Sequence, residues 1–258
     1  MEYIYPLFER NRILKKEHLW SLRDYPLAHM EMAYASYGDG LIQGCEVTVR
    51  EGELAVGKGI VKKNGFLYFI SRELTVPYKA TEKWEVVKMK VETDKSSKET
   101  IAHRLTLFVD QETEKKENEL EVCRFKLRQG SRLRTEYKNF LDMETEYDTI
   151  NLLYGDWGGI GEQTIPLPVT DYFARLVLSE KGSREEDIQF AYVCLSQPLP
   201  VRREVIEHYV RRRTKEGDGN KIGNRELFHH LAWILEDIKE GKKGDRKQEE
   251  RRRQIWVD

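Results

Sequence analysis

Cysteine is sparse and scattered in this chain. Cys45, Cys123 and Cys194 are odd in number, far apart, and each set in an apolar or strand-like context. They are expected to be reduced, buried thiols of a cytosolic protein, with no pair at zinc-ligand spacing. An excess of either charge is also missing. With 44 Lys+Arg against 45 Asp+Glu, the net charge of -1 gives no global field toward nucleic acid or acidic lipid, so a charged partner must be met locally. No uninterrupted apolar run reaches about 18 residues, and the opening MEYIYPLFERNRIL has no apolar stretch behind a basic start. Neither a standard secretion signal nor a membrane span is expected.

Catalytic motifs are equally hard to find. His229 and His230 are adjacent, so on a helix they point about 100° apart and cannot chelate one ion as an i, i+4 pair would. His103 and His208 have no neighbouring nucleophile, and Cys194 lies in the apolar run 190–195, where a thiol is inert core. The glycines of 217–223 are spaced wrongly for a dinucleotide fingerprint. Those of 155–161 lack the Lys-Ser/Thr that a P-loop requires. Turn geometry accounts for both stretches.

What the sequence does hold is pattern. From Pro6 to about Tyr37 the apolar residues recur at helical intervals, and Pro26 predicts a break at Tyr25-Pro26 between two short helices. From Leu41 the period changes to two. Val47 and Val49, the turn Glu51-Gly52, then Leu54 and Val56 make one hairpin; Ile60-Val61, Asn64-Gly65 and Phe66–Ile70 make a second. Val47, Val49, Leu54, Val56, Phe66 and Tyr68 are expected to supply much of one face. Strands follow over 84–91, 104–109 and 120–127, separated by polar connectors. Helical spacing returns beyond the glycine-rich 156–161, with a helix capped by Thr170 or Asp171, one begun after Ser183, and two more over 202–213 and 224–239, the last closed by Gly241. The fold class is therefore α+β: N-terminal short helices, an antiparallel hairpin-rich β-domain and a small C-terminal helical domain. The expected divisions are 1–37, 38–155, 156–240, and a charged, disordered or frayed tail over 241–258.

Two charge clusters carry what site chemistry there is. Asp142, Glu144, Glu146 and Asp148 would share a face on a strand, where a divalent cation or a basic partner could neutralise them; in a loop or helix they would not converge. A hydrolase built on these carboxylates is the most distant functional reading. Arg124, Lys126, Arg128, Arg132 and Arg134, with 211–213 and 251–253, could grip phosphate, although no exposed aromatics are interleaved and solvated salt bridges explain them as well.

The stretch Gly40-Leu-Ile-Gln-Gly-Cys-Glu-Val-Thr-Val49, with Gly52–Val56, Gly59–Val61 and Asn64–Phe69, resembles the hairpin-rich module of tail, baseplate and fibre-attachment proteins of phages and phage-derived elements in Gram-positive bacteria. The match covers the first third of the chain. The resemblance implies a non-enzymatic structural and assembly protein of a phage-tail-like particle, cytoplasmic or virion-associated, that docks other protein subunits or itself; the missing motifs add the expectation of no cofactor and no metal. Independently of the resemblance, the aromatic-rich segment ahead of the β-domain makes Trp20 and Tyr25 candidate interface residues, and membrane binding is not expected. The alternative is a nucleic-acid-associated protein using Arg124, Arg128, Arg132 and Arg134 and the basic C-terminal tail.

Overall fold

The opening helix runs through its proline. In the computed structural model, which describes residues 6–215 and 221–254 and side chains up to residue 241, α1 spans Lys16–Tyr34 with Pro26 inside it. Two short helices from Pro6 onward were the expectation, and one helix that starts ten residues later is found. Proline removes one backbone donor and crowds the preceding turn, but Leu22, Arg23, Leu27 and Ala28 around it are strong helix formers and carry the helix across. No residue of α1 is buried. Residues 1–37 form one compact unit and 38–258 a second.

The second unit begins with β1 (Gly40–Gly44), β2 (Val47–Arg50), β3 (Glu53–Val56), β4 (Gly59–Lys63), β5 (Phe66–Ile70) and β6 (Leu74–Pro77). Next come β7 (Trp84–Asp94), β8 (Ala102–Asp110), β9 (Glu119–Lys126), β10 (Trp157–Gly158) and β11 (Gln163–Thr164). Among the described residues they form three sheets, ordered β11-β10-β1-β4-β5, β2-β3-β6 and β8-β7-β9. All pairings are antiparallel except that of β1 with β10. Asn64 and Gly65 turn β4 into β5 with φ of 50° and 79°, the two positive angles of a tight primed turn, and set Lys63 opposite Phe66. Gly40 is required for a different reason: a Cβ there would lie 2.5 Å from Gly158 N, and its φ is +146°.

Both hairpins form, yet they do not share a face. The β2–β3 hairpin joins β6, whereas β4–β5 joins β1 in another sheet. Tyr68 is buried, but Phe66 is 51% exposed at the hairpin tip, with its ring 6.5 Å from that of His103. Phe66 has the parity of the core positions Tyr68 and Ile70 but lies beyond the rim of the core, so periodicity alone places it wrongly.

The helices α2 (Leu167–Ser179), α3 (Glu185–Leu195), α4 (Arg203–Thr214) and α5 (Asn224–Gln254) complete the chain. α2 starts ahead of Thr170, with a proline in its first turn, where a missing N–H costs nothing. Gly241 lies inside α5, so it does not close that helix. Residues 255–258, the side chains beyond residue 241, those of Arg251–Arg253 among them, and residues 217–220 of the glycine-rich stretch lie outside the described residues; the backbone of the tail expected over 241–258 continues α5 as far as Gln254. Strands and helices share one hydrophobic cluster. At its helical end Phe190 stacks on Tyr209 at 4.0 Å and Phe140 on Phe228 at 4.7 Å. Among the described residues no helix is long and apolar enough to cross a membrane.

Candidate docking site

The acidic ladder and the basic turn face each other. Residues 146–151 run beside the end of β9, held by Arg124 N to Asn151 O at 2.9 Å, Asn151 N to Arg124 O at 2.8 Å and Asp148 N to Lys126 O at 2.8 Å. On the other side, Arg134 N donates to Asp148 O at 3.2 Å and Ile150 N to Arg134 O at 2.9 Å. This seam brings opposite charges into register. Lys126 Nζ reaches Glu146 at 2.7 Å, Arg128 Nε reaches Asp148 at 2.8 Å, and Arg134 holds both oxygens of Asp142 at 2.6 and 2.7 Å. Glu144, in the 3-10 turn Phe140–Glu144, pairs with Arg225 and, at 2.6 Å, with His229 Nε2. Arg124 chelates Glu121 at 2.6 and 2.8 Å.

Each of the four carboxylates therefore has its own cation, and the crowding that would call for a divalent ion does not arise. No group of three or more His, Cys, Asp or Glu among the described residues could hold a metal. The Arg134 hydrogen bonds, assisted by Lys138 N and Thr145 Oγ1, hold the Asp142 carboxyl far below the usual carboxylate range. Of the basic candidates, Arg124, Arg128 and Arg134 lie on this seam; Arg132 is exposed and makes no ion pair among the described residues. Two aromatics are interleaved after all. Arg124 stacks 3.7 Å over Tyr154, and Lys126 lies 4.3 Å over Tyr147. Tyr147 was legible between Glu146 and Asp148; Tyr154 is 30 positions from its arginine, too far for any local pattern.

The remaining reactive groups are locked in the core. Burial pushes the thiols of Cys45 and Cys194 up to about 12 and that of Cys123 further still, which removes the thiolate form. Asp187 and Arg213, fully buried, join α3 to α4 at 2.7 Å. Tyr209 donates to the same carboxylate at 2.8 Å, and Arg213 also reaches Asp237 of α5 at 2.9 Å. Desolvation, followed by the Asp187 charge, drives the Tyr209 phenol well above its ordinary value. These groups clamp three helices together.

What remains open is surface shape. A cavity of about 540 Å³ lies between β2 and the first turns of α2, floored by Leu41, Val122 and Trp157. All of residues 44–48 line it. Of β2 itself, Val47 and Thr48 are touched; successive strand residues point to opposite faces, so a cavity that meets both reaches the edge of β2 at its start, where Gly44, Cys45 and Glu46 lead into the strand. The indole N–H of Trp157 is buried and has no hydrogen-bond acceptor among the described residues. Sequence reasoning missed this groove, because its walls are about 120 residues apart and neither carries a motif. Of the candidate interface residues, Trp20 is 48% and Tyr25 37% exposed, both on α1.

No family model matches the chain, and no curated protein matches it. Solved structures do. A chain of the TssK-TssF-TssG baseplate subcomplex of the type VI secretion system aligns over 93% of this chain and 100% of its own at 10% identity, with a TM-score of 0.39. TssK in its crystal structure aligns over 93% of this chain and 72% of its own at 11% identity, TM-score 0.40. A chain of the type VI baseplate complex aligns over 91% and 100% at 10% identity, TM-score 0.31. The similarity is to secretion-system baseplate chains. At these TM-scores, all below 0.5, the overlays establish neither fold nor role.

Proposed function

We propose that this protein is a non-enzymatic docking subunit, binding other protein subunits or itself within a phage-tail-like particle, and that it is cytoplasmic or particle-associated. One observation carries the reading: α1 buries none of its residues, and it leaves Leu19, Trp20, Leu22, Leu27 and Met32 exposed, while the acidic ladder and Arg124, Arg128 and Arg134 of the second unit are engaged in internal ion pairs. Exposed apolar surface of this kind marks protein interaction sites, and Trp and Tyr are frequent anchors there. The particle context rests on the resemblance of the Gly40–Phe69 hairpins to phage tail and baseplate modules. In this reading the chain needs no cofactor.

The test is size-exclusion chromatography with light scattering, followed by pull-down with the products of neighbouring genes. Self-association or capture that is lost on Trp20→Ser supports the reading. A strict monomer at high concentration that captures none of those products removes it. The nucleic-acid alternative is favoured by the stacking of Arg124 on Tyr154 and opposed by the carboxylates already seated on Arg124, Arg128 and Arg134. A salt titration separates the two, since phosphate contacts weaken steeply with ionic strength.

A further inference from the structure

We propose that the groove between β2 and α2 takes an extended apolar strand of a partner protein, which pairs with the free edge of β2 and sets a lysine or arginine against Asp171 and Glu46. The proposal rests on the docking reading and names the surface and the chemistry of the partner.

The edge comes first. The two-residue turn Glu51-Gly52 closes on the pair Arg50 and Glu53, and pairing continues through Val49–Leu54 and Thr48–Ala55. Hydrogen-bonded and non-bonded pairs alternate in an antiparallel ladder, so Arg50 and Thr48 bond toward β3 while the backbone groups of Val47 and Val49 turn away. Gly57 N donating to Glu46 O at 2.9 Å continues the same alternation. No strand among the described residues pairs with that outer edge, because β2 ends its sheet. Unpaired edges are templates for an added strand, and an added strand gains affinity from its main chain and specificity from pockets for alternate side chains.

The walls fix the side chains. Leu41, Val47, Leu152 and Leu167 present apolar surface to the cavity, which suits the apolar residues of such a strand. Charge sets the remainder. Asp171 is half-buried on α2 and makes no hydrogen bond or ion pair among the described residues; it feels Arg175 one turn on without closing a bridge. Glu46, exposed on the opposite wall, forms no ion pair among the described residues either. Two carboxylates against one guanidinium leave the rim acidic, and a basic side chain complements it.

Selection of a displayed random nonapeptide library on the purified chain tests this. The expected result is enrichment of peptides that alternate apolar residues and carry one lysine or arginine, with affinity reduced about tenfold or more by Asp171→Lys. Val47→Pro, at the first position of β2, where Val47 faces Val56 as a non-hydrogen-bonded pair and its N–H points away from β3, should reduce it similarly. Amide exchange at Val47 and Val49 should slow when the selected peptide is bound. No enrichment over the Val47→Pro protein, or enriched peptides indifferent to Asp171→Lys, overturns the proposal. So does a concentration-dependent dimer that Val47→Pro abolishes, which would assign the groove to a second copy. If association lost on Trp20→Ser persists while the library yields nothing, the groove is refuted and docking through α1 stands.

Discussion

Arg134 and Asp142 meet as a two-pronged pair, with Nη1 and Nη2 at 2.6 and 2.7 Å from the two carboxylate oxygens. The arginine leaves the backbone seam beside Thr149, and the aspartate sits in the 3-10 turn that sends Phe140 into the helical core. One ion pair thus ties the β-sheet edge to the helices.

The first prediction follows from the depressed Asp142 carboxyl. A carboxylate whose folded pKa lies below its unfolded value adds stability above the unfolded value and loses it as pH falls toward the folded one. Asp142→Asn should cost about 2 kcal/mol, the usual scale for hydrogen bonds to a charged group. In urea melts, the gap between Asp142→Asn and the parent protein should hold steady from pH 8 to 5 and narrow below roughly pH 4. A gap independent of pH down to acid unfolding would show that the charge contributes nothing.

Arg213 and Asp187 invite a stability cycle. Arg213→Met strands the carboxylate of Asp187 in the core and should cost about 3–5 kcal/mol. Adding Asp187→Asn should recover part of that loss, since the stranded charge is gone. Purely additive costs in chemical denaturation would contradict the pairing.

The three buried cysteines should resist alkylation. With their thiols raised by burial, native protein near neutral pH should react slowly with iodoacetamide, and unfolded protein should be modified at all three. Rapid, stoichiometric labelling of any one in the native state, followed by mass spectrometry, would count against this packing.

Gly40→Ala should be among the most damaging single changes. The positive φ and the 2.5 Å approach to Gly158 N both exclude a methyl group, at a cost on the order of 3 kcal/mol. Gly52→Ala, whose Cβ would meet nothing within 4 Å, should cost less, because only its backbone angle is strained. Thermal melts of the two variants compare them directly.

Local order was legible from residue spacing. Period-two alternation and Asn64-Gly65 determine the β4–β5 hairpin and its register, and helical spacing determines α4 and the body of α5, because these patterns act between residues a few positions apart. Which element covers which face was decided by tertiary structure. The two hairpins enter different sheets, and Phe66 is left at a tip outside the core. The acidic ladder and the basic turn each read as a candidate site alone; they cancel because backbone bonds between 124–134 and 146–151 set Lys126 against Glu146 and Arg128 against Asp148, 20 positions apart. The groove is the same case at longer range. Its edge comes from β2 and its acidic wall from α2, so only packing across the chain could bring Glu46 and Asp171 to one cavity.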